Sequence, residues 1–493
     1  MTVTSSVLRF VTRWVWRLVV AVALLWLGLV VGGALQAKWR LPDLQAWHRY
    51  VPASEPSARD MGDAFTLDEY LAREARVFEE VARDVERPLA DQPTSVINRY
   101  APRSLSHPGR SGPNWNRTFE RTPREIRGGA LLLHGLTDGP YSLRALAGVL
   151  EDQGYYVLAL RLPGHGTVPG ALTRATWQDW SAAVRMGARH VQQKVGSGRP
   201  FLIVGYSNGG ALALKYALDT LDDGRLGRPT RLVLLSPMIG VTPFAGLARV
   251  VSRLGVLPRF EKALWTDVVL EYNPYKYNSF PANAGEQTFL LTTVNRHSLE
   301  RARSTGRVHD LPPILTFQSL VDATVSTPAV VHELYDRLDA NGSELVFFDI
   351  NRVAGLDAFI RPEEAALLSK LTDRQPRAYR RALVTNAAPD VLDVVERSAA
   401  PGSTDVAERP LGLAWPHDMF SLSHIAVPFP PDDPVYGFEG PADRQVPGLG
   451  RISPRGERAV LTVGVDTLMR ASANPFYSYM AGRAAEWVSV APR

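Results

Sequence analysis

A serine flanked by glycines is the first candidate for chemistry in this sequence. In FLIVGYSNGG, Ser207 lies between Gly205 and Gly209, after an apolar run and before a helical pattern. Glycines at these positions permit a tight strand-to-helix turn, in which the serine adopts a strained backbone and projects its hydroxyl at the carboxyl edge of a sheet. A glycine-rich turn without chemistry is the alternative. The position of Ser207 between a predicted strand and a predicted helix favours the nucleophile over the plain turn.

A base and an acid are needed because a serine hydroxyl is a poor nucleophile until its proton is removed. In folds with such a corner, the acid and then the histidine follow the serine along the chain. Asp322 in FQSLVDATV directly follows a strand candidate and is the expected acid, although a turn aspartate or a helix cap fits the same place. His424 in FSLSHIAVP is the preferred base, since a serine-flanked loop histidine suits that position; His417 in WPHDMF is the alternative.

Two backbone amides complete the expected site as donors to an oxyanion. One is the N–H of Asn208, the residue after the nucleophile, and the other is the N–H of Leu136 in LLLHGLTDGP. A helix that begins directly after Ser207 also points its free amides and the positive end of its dipole at the reacting centre. His134 and Gly135 shape the second loop, and we expect His134 to have a structural role.

The elements around the serine alternate between short apolar runs and helical stretches. From residue 128 the runs GALLLHG, YVLALRLPGHG, FLIVGYSNGG and RLVLLSP lack internal alternation, which is typical of strands buried on both faces. PPILTFQS at 312–319 and SELVFFDI at 343–350 extend the series, and GVDTLMRASANPFYSYMAGRAAEWV predicts a closing helix. The order of strands and helices predicts an α/β fold with a mostly parallel central sheet flanked by helices.

Two long intervals divide this pattern, and each is too long to be a plain loop. The predicted parts are an N-terminal segment 1–35, an extension 36–127 that packs on the core, a core of 128–237, 311–350 and 421–493, a cap 238–310 and an insertion 351–420. The extension contains one clear helix candidate, which begins with a capping box formed by Thr66 and Glu69. The insertion contains the helical candidate RPEEAALLSKL.

The N-terminal segment contains a charge-free run from Leu18 to Leu35. As a helix it would nearly cross a hydrocarbon core of roughly 30 Å, and the arginines before it favour a cytoplasmic N-terminus. We therefore expect a single membrane-anchoring helix with the catalytic domain outside the cytoplasm. A signal peptide cleaved near residues 32–34, followed by secretion, is the alternative.

The composition excludes several classes of protein. Hydrophobic residues at 45% and charged residues at 21% are typical of a globular chain. A net charge of +5 over 493 residues, without a basic stripe, predicts no nucleic-acid partner. The absence of cysteine excludes disulfides, thiolate metal sites and cysteine nucleophiles, and we expect no metal. The oligomeric state is not constrained.

Taken together, these motifs resemble the α/β-hydrolase family and, within it, the monoacylglycerol-lipase and bacterial carboxylesterase group. The resemblance is carried by LLLHGLTDGP, RLPGHGT, the pair Asp179 and Trp180, GYSNGG and SLVDATV. It implies an α/β-hydrolase fold with a helical cap, and hydrolysis of small-molecule or lipid esters with short to medium acyl chains, or of monoglycerides, without a cofactor. The stretch between the acid and the histidine is far longer than in the family.

Other functions remain open on the sequence alone. The same site would serve an acyltransferase or a thioesterase, and a membrane-anchored binding protein could keep the fold without turnover. Apolar residues of the cap fit an acyl pocket and fit simple packing equally well. These residues are Phe244, Leu247, Val250, Leu254, Trp265, Tyr272 and Tyr275.

Overall fold

The computed structural model describes residues 3–90, 97–110, 112–240, 258–354, 361, 370–371, 375–439, 448–452 and 463–489. Within them the helices are α1 (Val3–Arg40), α2 (Ala46–Arg49), α3 (Leu67–Val81), α4 (Arg144–Asp152), α5 (Trp177–Val195), α6 (Asn208–Asp222), α7 (Ala282–Ser304), α8 (Thr327–Ala329), α9 (Val465–Met469) and α10 (Tyr477–Ser489). The strands are β1 (Phe119–Arg121), β2 (Gly128–Leu133), β3 (Tyr155–Leu160), β4 (Phe201–Tyr206), β5 (Arg231–Leu235), β6 (Trp265–Asp267), β7 (Phe280–Pro281), β8 (Ile314–Ser319), β9 (Glu344–Phe348), β10 (Arg380–Asn386), β11 (Asp393–Ala399) and β12 (Ala407–Ala414).

A single large sheet dominates the described part of the chain. Its ten strands lie in the order β1, β3, β2, β4, β5, β8, β9, β10, β11, β12, while β6 and β7 form a separate pair. From β3 to β10 all neighbours are parallel, and β1, β11 and β12 are antiparallel additions at the two ends. The predicted α/β fold with a mostly parallel sheet is thereby confirmed.

The central strands are apolar throughout because both faces of the sheet are covered. Side chains of one strand alternate between the two cores. Leu131 and Leu133 of β2 join the core that contains residues of α5, α6 and α7, whereas Ala130 and Leu132 join the core that contains residues of α4 and α10. The carboxyl ends of these strands therefore form one edge at which loops from several strands meet.

The interval 351–420 contributes strands that the sequence analysis does not predict. Most of RPEEAALLSKL lies outside the described residues, and the remainder of the interval supplies β10, β11 and β12. Strand β10 pairs in parallel with β9, with Arg380 opposite Glu344. A search for apolar runs misses these strands because they carry charged residues and because β12 contains no buried residue. The interval therefore enlarges the central sheet.

Paired charges hold the added strands to the core. Glu344 of β9 and Glu396 of β11 are each 3% exposed, and Arg380 of β10 donates to both carboxylates. Arg483 of α10 donates to Glu344, and Arg409 of β12 donates to Glu396, both at 2.8 Å. Burial raises the pKa of Glu396, but hydrogen bonds from the arginines and a tyrosine outweigh it and lower the pKa to about 2. Glu396 therefore stays charged and paired, as a buried ion must.

Helix α3 packs on the core, with Leu67 and Tyr70 buried in the main apolar cluster. Thr66 Oγ1 accepts a hydrogen bond from Glu69 N at 3.3 Å at the start of this helix. Further along, Tyr70 Oη donates to the carbonyl of Arg161, and Glu74 accepts from Arg161 Nε at 3.1 Å. The side chain of Arg161 is fully buried in the loop after β3. The extension thus holds a loop that lies at the carboxyl edge of the sheet.

The predicted membrane anchor, and the extracytoplasmic placement that rested on it, are contradicted. No helix among the described residues is both long and apolar enough to cross a membrane. The predicted run lies in α1, which also carries Arg13 and Arg17 and ends with Lys38 and Arg40. The chain after it turns back onto the protein, where Lys262 Nζ donates to Leu41 O at 2.9 Å.

The predicted closing helix is two helices, α9 and α10. Pro475 lies between them, and a proline in a helix interior removes a backbone donor and clashes with the preceding turn. Asn474 N instead donates to Phe429 O at 2.8 Å. The second helix, α10, covers the face of the sheet beside α4.

Candidate active site

Ser207 makes the turn between β4 and α6 by itself. Its backbone has φ 52° and ψ −114°, a conformation that costs a non-glycine residue about 1–3 kcal/mol. Ser207 N donates to Leu235 O at 2.9 Å, and Ser207 O accepts from Gly210 N at 2.9 Å and from Met238 N at 3.0 Å. Backbone hydrogen bonds to the neighbouring strand and to the following helix therefore hold the strained residue in place.

Close backbone contacts explain the glycines on either side of the serine. A Cβ atom on Gly209 would lie 1.9 Å from Leu133 O, and one on Gly205 would lie 2.4 Å from Gly209 O. Neither contact is with a flexible side chain that can move away. Glycine is therefore required at both positions by space, and the turn brings Ser207 against the end of β2.

Replacing Gly209 by alanine should destabilise the protein by about 3 kcal/mol or more, because the new methyl group overlaps a backbone carbonyl of the central sheet. The measurement is the free energy of unfolding in urea. Gly148→Ala is the matched control, since this helical glycine has no atom within 4 Å of the position that a methyl group would take, and alanine there should add about 0.5–1 kcal/mol of stability. Equal effects of the two substitutions would show that the close contact is absent.

Three side chains from distant parts of the chain meet at the turn. Ser207 Oγ lies 3.0 Å from His424 Nε2, and His424 Nδ1 lies 2.8 Å from Asp322 Oδ2. A carboxylate accepts only, so Nδ1 carries the proton and Nε2 is left to accept from the hydroxyl. The side chain of Asp322 is fully buried and that of His424 is 5% exposed. This arrangement can remove the serine proton and store it on the imidazole.

Asp322 is held in the loop that follows β8. Its Oδ1 accepts hydrogen bonds from Thr324 N at 2.8 Å and from Val325 N at 3.0 Å, which leaves Oδ2 for His424. Burial raises the pKa of Asp322, but the charge of His424 and these hydrogen bonds outweigh it and place the pKa below its usual value. The carboxylate is therefore ionised at neutral pH.

His424 reaches the serine although 102 residues separate it from Asp322. After β12 the chain returns to the end of β9, where Asn351 N donates to Phe420 O at 2.7 Å and Asn351 Nδ2 donates to Met419 O at 2.9 Å. An isolated bridge between Ile350 and residue 421 continues this contact. The chain between Asn351 and Phe420 thus forms a long excursion, an insertion that adds strands to the edge of the sheet and then returns to the point where it began.

The alternative base, His417, lies on the turn after β12 with its side chain exposed. The described partner of the Ser207 hydroxyl is His424. His332 is also exposed and contacts Asp336 at 2.9 Å. Of the histidines that follow the serine, the structure therefore brings His424 to it.

The two expected oxyanion donors lie on either side of the serine. Within the described part of the chain, neither Leu136 N nor Asn208 N donates a hydrogen bond, although both residues are buried. Buried amides without a partner are rare in folded proteins. A Cβ atom on Gly135 would lie 3.2 Å from Ser207 Cβ, so the loop that carries Leu136 is directly beside the nucleophile. Both amides are available to an acceptor on a bound substrate.

His134 connects two loops at this edge. Its Nδ1 lies 2.9 Å from Gly135 O and its Nε2 lies 3.0 Å from Leu162 N, which fixes the tautomer with the proton on Nδ1. Burial lowers the pKa of His134 to about 3, so the ring is neutral. It has no described contact with the Ser207 hydroxyl, and its hydrogen bonds position the loop.

The described part of the interval 238–310 contacts the same loop in a way that no sequence motif indicates. Lys276 Nζ donates to Thr137 Oγ1 at 2.9 Å, and Tyr277 N donates to Thr137 O at 2.8 Å. A lysine in a region without a motif gives no signal, because the contact joins residues that are far apart in the sequence. Within the described ranges, no group of histidine, aspartate and glutamate side chains is arranged to hold a metal ion.

The residues proposed for an acyl pocket have different surroundings. Phe244, Leu247, Val250 and Leu254 lie outside the described residues. Trp265 packs in a small cluster with Leu44 of the extension, away from the serine. Tyr272 and Tyr275 belong to an aromatic cluster in which Tyr275 stacks on Tyr141 at 3.9 Å between ring centres. Since Tyr141 follows the loop of Leu136, this cluster lies close to the candidate site.

Known sequences resemble the part of the chain that contains Ser207 and Asp322. Residues 124–349 match a family model described as serine aminopeptidase, S33. A thermostable monoacylglycerol lipase from Bacillus sp. (strain H-257) is 31% identical over 140 residues, which are 28% of this chain and 51% of the relative. The chain thus spans half the length of the curated relative that it matches.

Solved structures show looser similarity. A monoacylglycerol lipase from Paleococcus ferrophilus has a TM-score of 0.36 and 19% identity, covering 51% of this chain and 99% of that one. A carboxyl esterase from Bacillus coagulans has a TM-score of 0.34 and 17% identity, covering 52% of this chain and 90% of that one.

Proposed function

We propose that this α/β hydrolase, whose residues 124–349 match the family model, is a serine hydrolase that cleaves carboxylic esters. The observation that carries the proposal is the unbroken line of hydrogen bonds from the Ser207 hydroxyl through His424 to Asp322. We also propose that residues 238–310 act as a cap over this site.

In the first step, Ser207 Oγ attacks the carbonyl carbon of the ester while His424 Nε2 takes the hydroxyl proton. The negative charge of Asp322 stabilises the imidazolium that forms. The carbonyl oxygen becomes an oxyanion and accepts hydrogen bonds from Leu136 N and Asn208 N. One such donor accounts for about a 100- to 1,000-fold change in kcat in enzymes of this kind.

In the next steps the same histidine works as an acid and then again as a base. The imidazolium gives its proton to the departing alcohol oxygen, which breaks the ester bond and leaves an acyl group on Ser207. A water molecule then attacks the acyl carbon and passes a proton to His424. The bond between the acyl carbon and Ser207 Oγ then breaks, His424 returns its proton to Ser207 Oγ, and the carboxylic acid leaves.

The substrate class that we propose is esters of short to medium acyl chains, including monoacylglycerols. The support is the relative named as a monoacylglycerol lipase. We also propose that the buried aromatic cluster of Tyr141, Tyr272 and Tyr275, which follows the loop of Leu136, borders the acyl site. Aromatic side chains of this kind line many pockets for apolar ligands.

The test is a panel of nitrophenyl and glyceryl esters of graded chain length, assayed with the full chain before and after treatment with a fluorophosphonate. We expect turnover that rises to an optimum chain length and is lost in proportion to covalent labelling. Thioesters and added alcohols serve as controls for thioesterase and acyl-transfer activity. A folded protein that neither turns over the esters nor takes the label would contradict the proposal.

A further inference from the structure

The loop that carries Leu136 contains a second strained residue, Thr137. Its φ is 64°, a conformation that is unusual for any residue other than glycine and a clear outlier for a β-branched one. Such a backbone persists only where surrounding contacts hold it. Leu136 and Thr137 are neighbours in the chain, so contacts that fix the strained backbone of Thr137 also restrain Leu136 and the amide that it carries.

Contacts from the cap supply that support. Lys276 Nζ donates to Thr137 Oγ1 at 2.9 Å and lies 3.5 Å from Leu136 O and 3.8 Å from Asp138 Oδ1. The next residue, Tyr277, donates its backbone N–H to Thr137 O at 2.8 Å. Two successive residues of the cap therefore contact three successive residues of the loop.

The cap segment around Lys276 is itself fixed. Tyr277 Oη accepts from Thr167 N at 2.7 Å and donates to Gly164 O at 3.1 Å, both in the loop after β3. On the other side of Lys276, Pro274 O accepts from Asn116 Nδ2 at 3.0 Å. The lysine is thus presented from a segment that is anchored to the extension and to the core.

The charge of Lys276 has a second effect on the loop. Asp138 is 4% exposed, and burial raises its pKa while the ammonium group of Lys276 opposes that shift. Among the described residues, the ammonium group of Lys276 forms the ion pair with the Asp138 carboxylate. Removing it leaves a buried carboxylate without a positive partner beside the nucleophile, which favours movement of the loop towards solvent.

We propose that Lys276 is a positioning residue for the oxyanion hole, which it serves from the cap by holding Thr137 and Asp138 so that the Leu136 amide stays beside Ser207. The proposal rests on the proposed esterase function. An oxyanion exists only after attack, so a displaced amide weakens binding of the transition state more than binding of the ester. The expected signature is a lower kcat with little change in KM.

The experiment is a double-mutant cycle on ester hydrolysis by the full chain, with Lys276→Met, Thr137→Val and both together. Valine keeps the β-branched shape of threonine and removes the hydroxyl that Lys276 binds. We expect Lys276→Met to lower kcat by about 10- to 100-fold and Thr137→Val by about 10-fold. If both act through one contact, the double variant should be no slower than Lys276→Met alone.

Lys262→Met is the matched control. Lys262 also belongs to the cap, is 20% exposed against 21% for Lys276, and also binds a carbonyl oxygen and a carboxylate, those of Leu41 and Asp43. Its contacts lie on the N-terminal extension, so kcat should stay within about twofold of the wild type, as for a surface substitution away from the site.

The outcomes separate this proposal from the proposed function. If the wild type is active but the effects of the two single substitutions multiply in the double variant, the role of Lys276 is overturned and the esterase proposal stands. A rise in KM at constant kcat in Lys276→Met would have the same meaning. If Lys276→Met does not fold, the comparison of Thr137→Ser with Thr137→Val tests the role of Lys276. Serine keeps the hydroxyl that accepts from Lys276 and should retain kcat, whereas valine lacks it. A wild type without turnover or fluorophosphonate labelling would overturn both proposals.

Discussion

Replacing Ser207 by alanine should reduce kcat for nitrophenyl esters by about 10⁵- to 10⁶-fold and abolish fluorophosphonate labelling. The hydroxyl is the atom that we expect to attack the carbonyl, and His424 has no other described partner on this side from which to take a proton. Without it the remaining donors can only bind the ester. The measurement is turnover in substrate excess, with covalent labelling followed by intact mass.

Ser236→Ala is a control of the same kind in the neighbouring loop. Ser236 follows β5, is fully buried and also has a positive φ, of 41°. Both alanine variants should keep the wild-type melting temperature within a few degrees, because alanine and serine have similar strain at positive φ. Labelling that survives in Ser207→Ala, or that disappears in Ser236→Ala, would remove Ser207 from the role of nucleophile.

Replacing His424 by alanine should lower kcat by about 10⁴- to 10⁶-fold, whereas His417→Ala should leave it within about twofold. His424 lies 3.0 Å from the serine hydroxyl, and His417 is exposed on the turn after β12. The imidazole both removes the serine proton and protonates the departing alcohol, so no neighbouring group replaces it. Steady-state kinetics of the two variants on one ester make the comparison.

A combined variant, Ser207→Ala with His424→Ala, tests whether the two residues act as one unit. Groups that depend on one another lose almost all of their effect when either is removed, so the double variant should be about as slow as each single one. The reverse pattern, an inactive His417→Ala with an active His424→Ala, would place the base on the other loop and refute the proposed mechanism.

The parts of the fold that the sequence predicts well are those where one local cause decides the structure. Strands β2, β4 and β5 are buried on both faces and therefore read as unbroken apolar runs. The turn at Ser207 is partly local, because a Cβ atom on Gly205 would overlap the carbonyl of Gly209, four residues further along the chain. Short-range chemistry of this kind is visible in a single sequence.

The parts that the sequence predicts poorly depend on contacts between distant residues. Strands β10, β11 and β12 carry charges that are neutralised only in the folded sheet, as Arg380 shows between Glu344 and Glu396. Lys276 and its contact with Thr137 follow no motif. The charge-free run near the N-terminus predicts an anchor from local hydropathy alone, and the described helix does not have the properties that a membrane span requires.

The long excursion between Asp322 and His424 sets the order in which the catalytic groups are made. A ribosome that adds about 5–20 residues per second needs roughly 5 to 20 s to translate the 102 residues between the acid and the histidine. During that time the growing polypeptide contains Ser207 and Asp322 but not His424. By the proposed mechanism, a nascent chain that has not reached residue 424 lacks the imidazole that removes the serine proton.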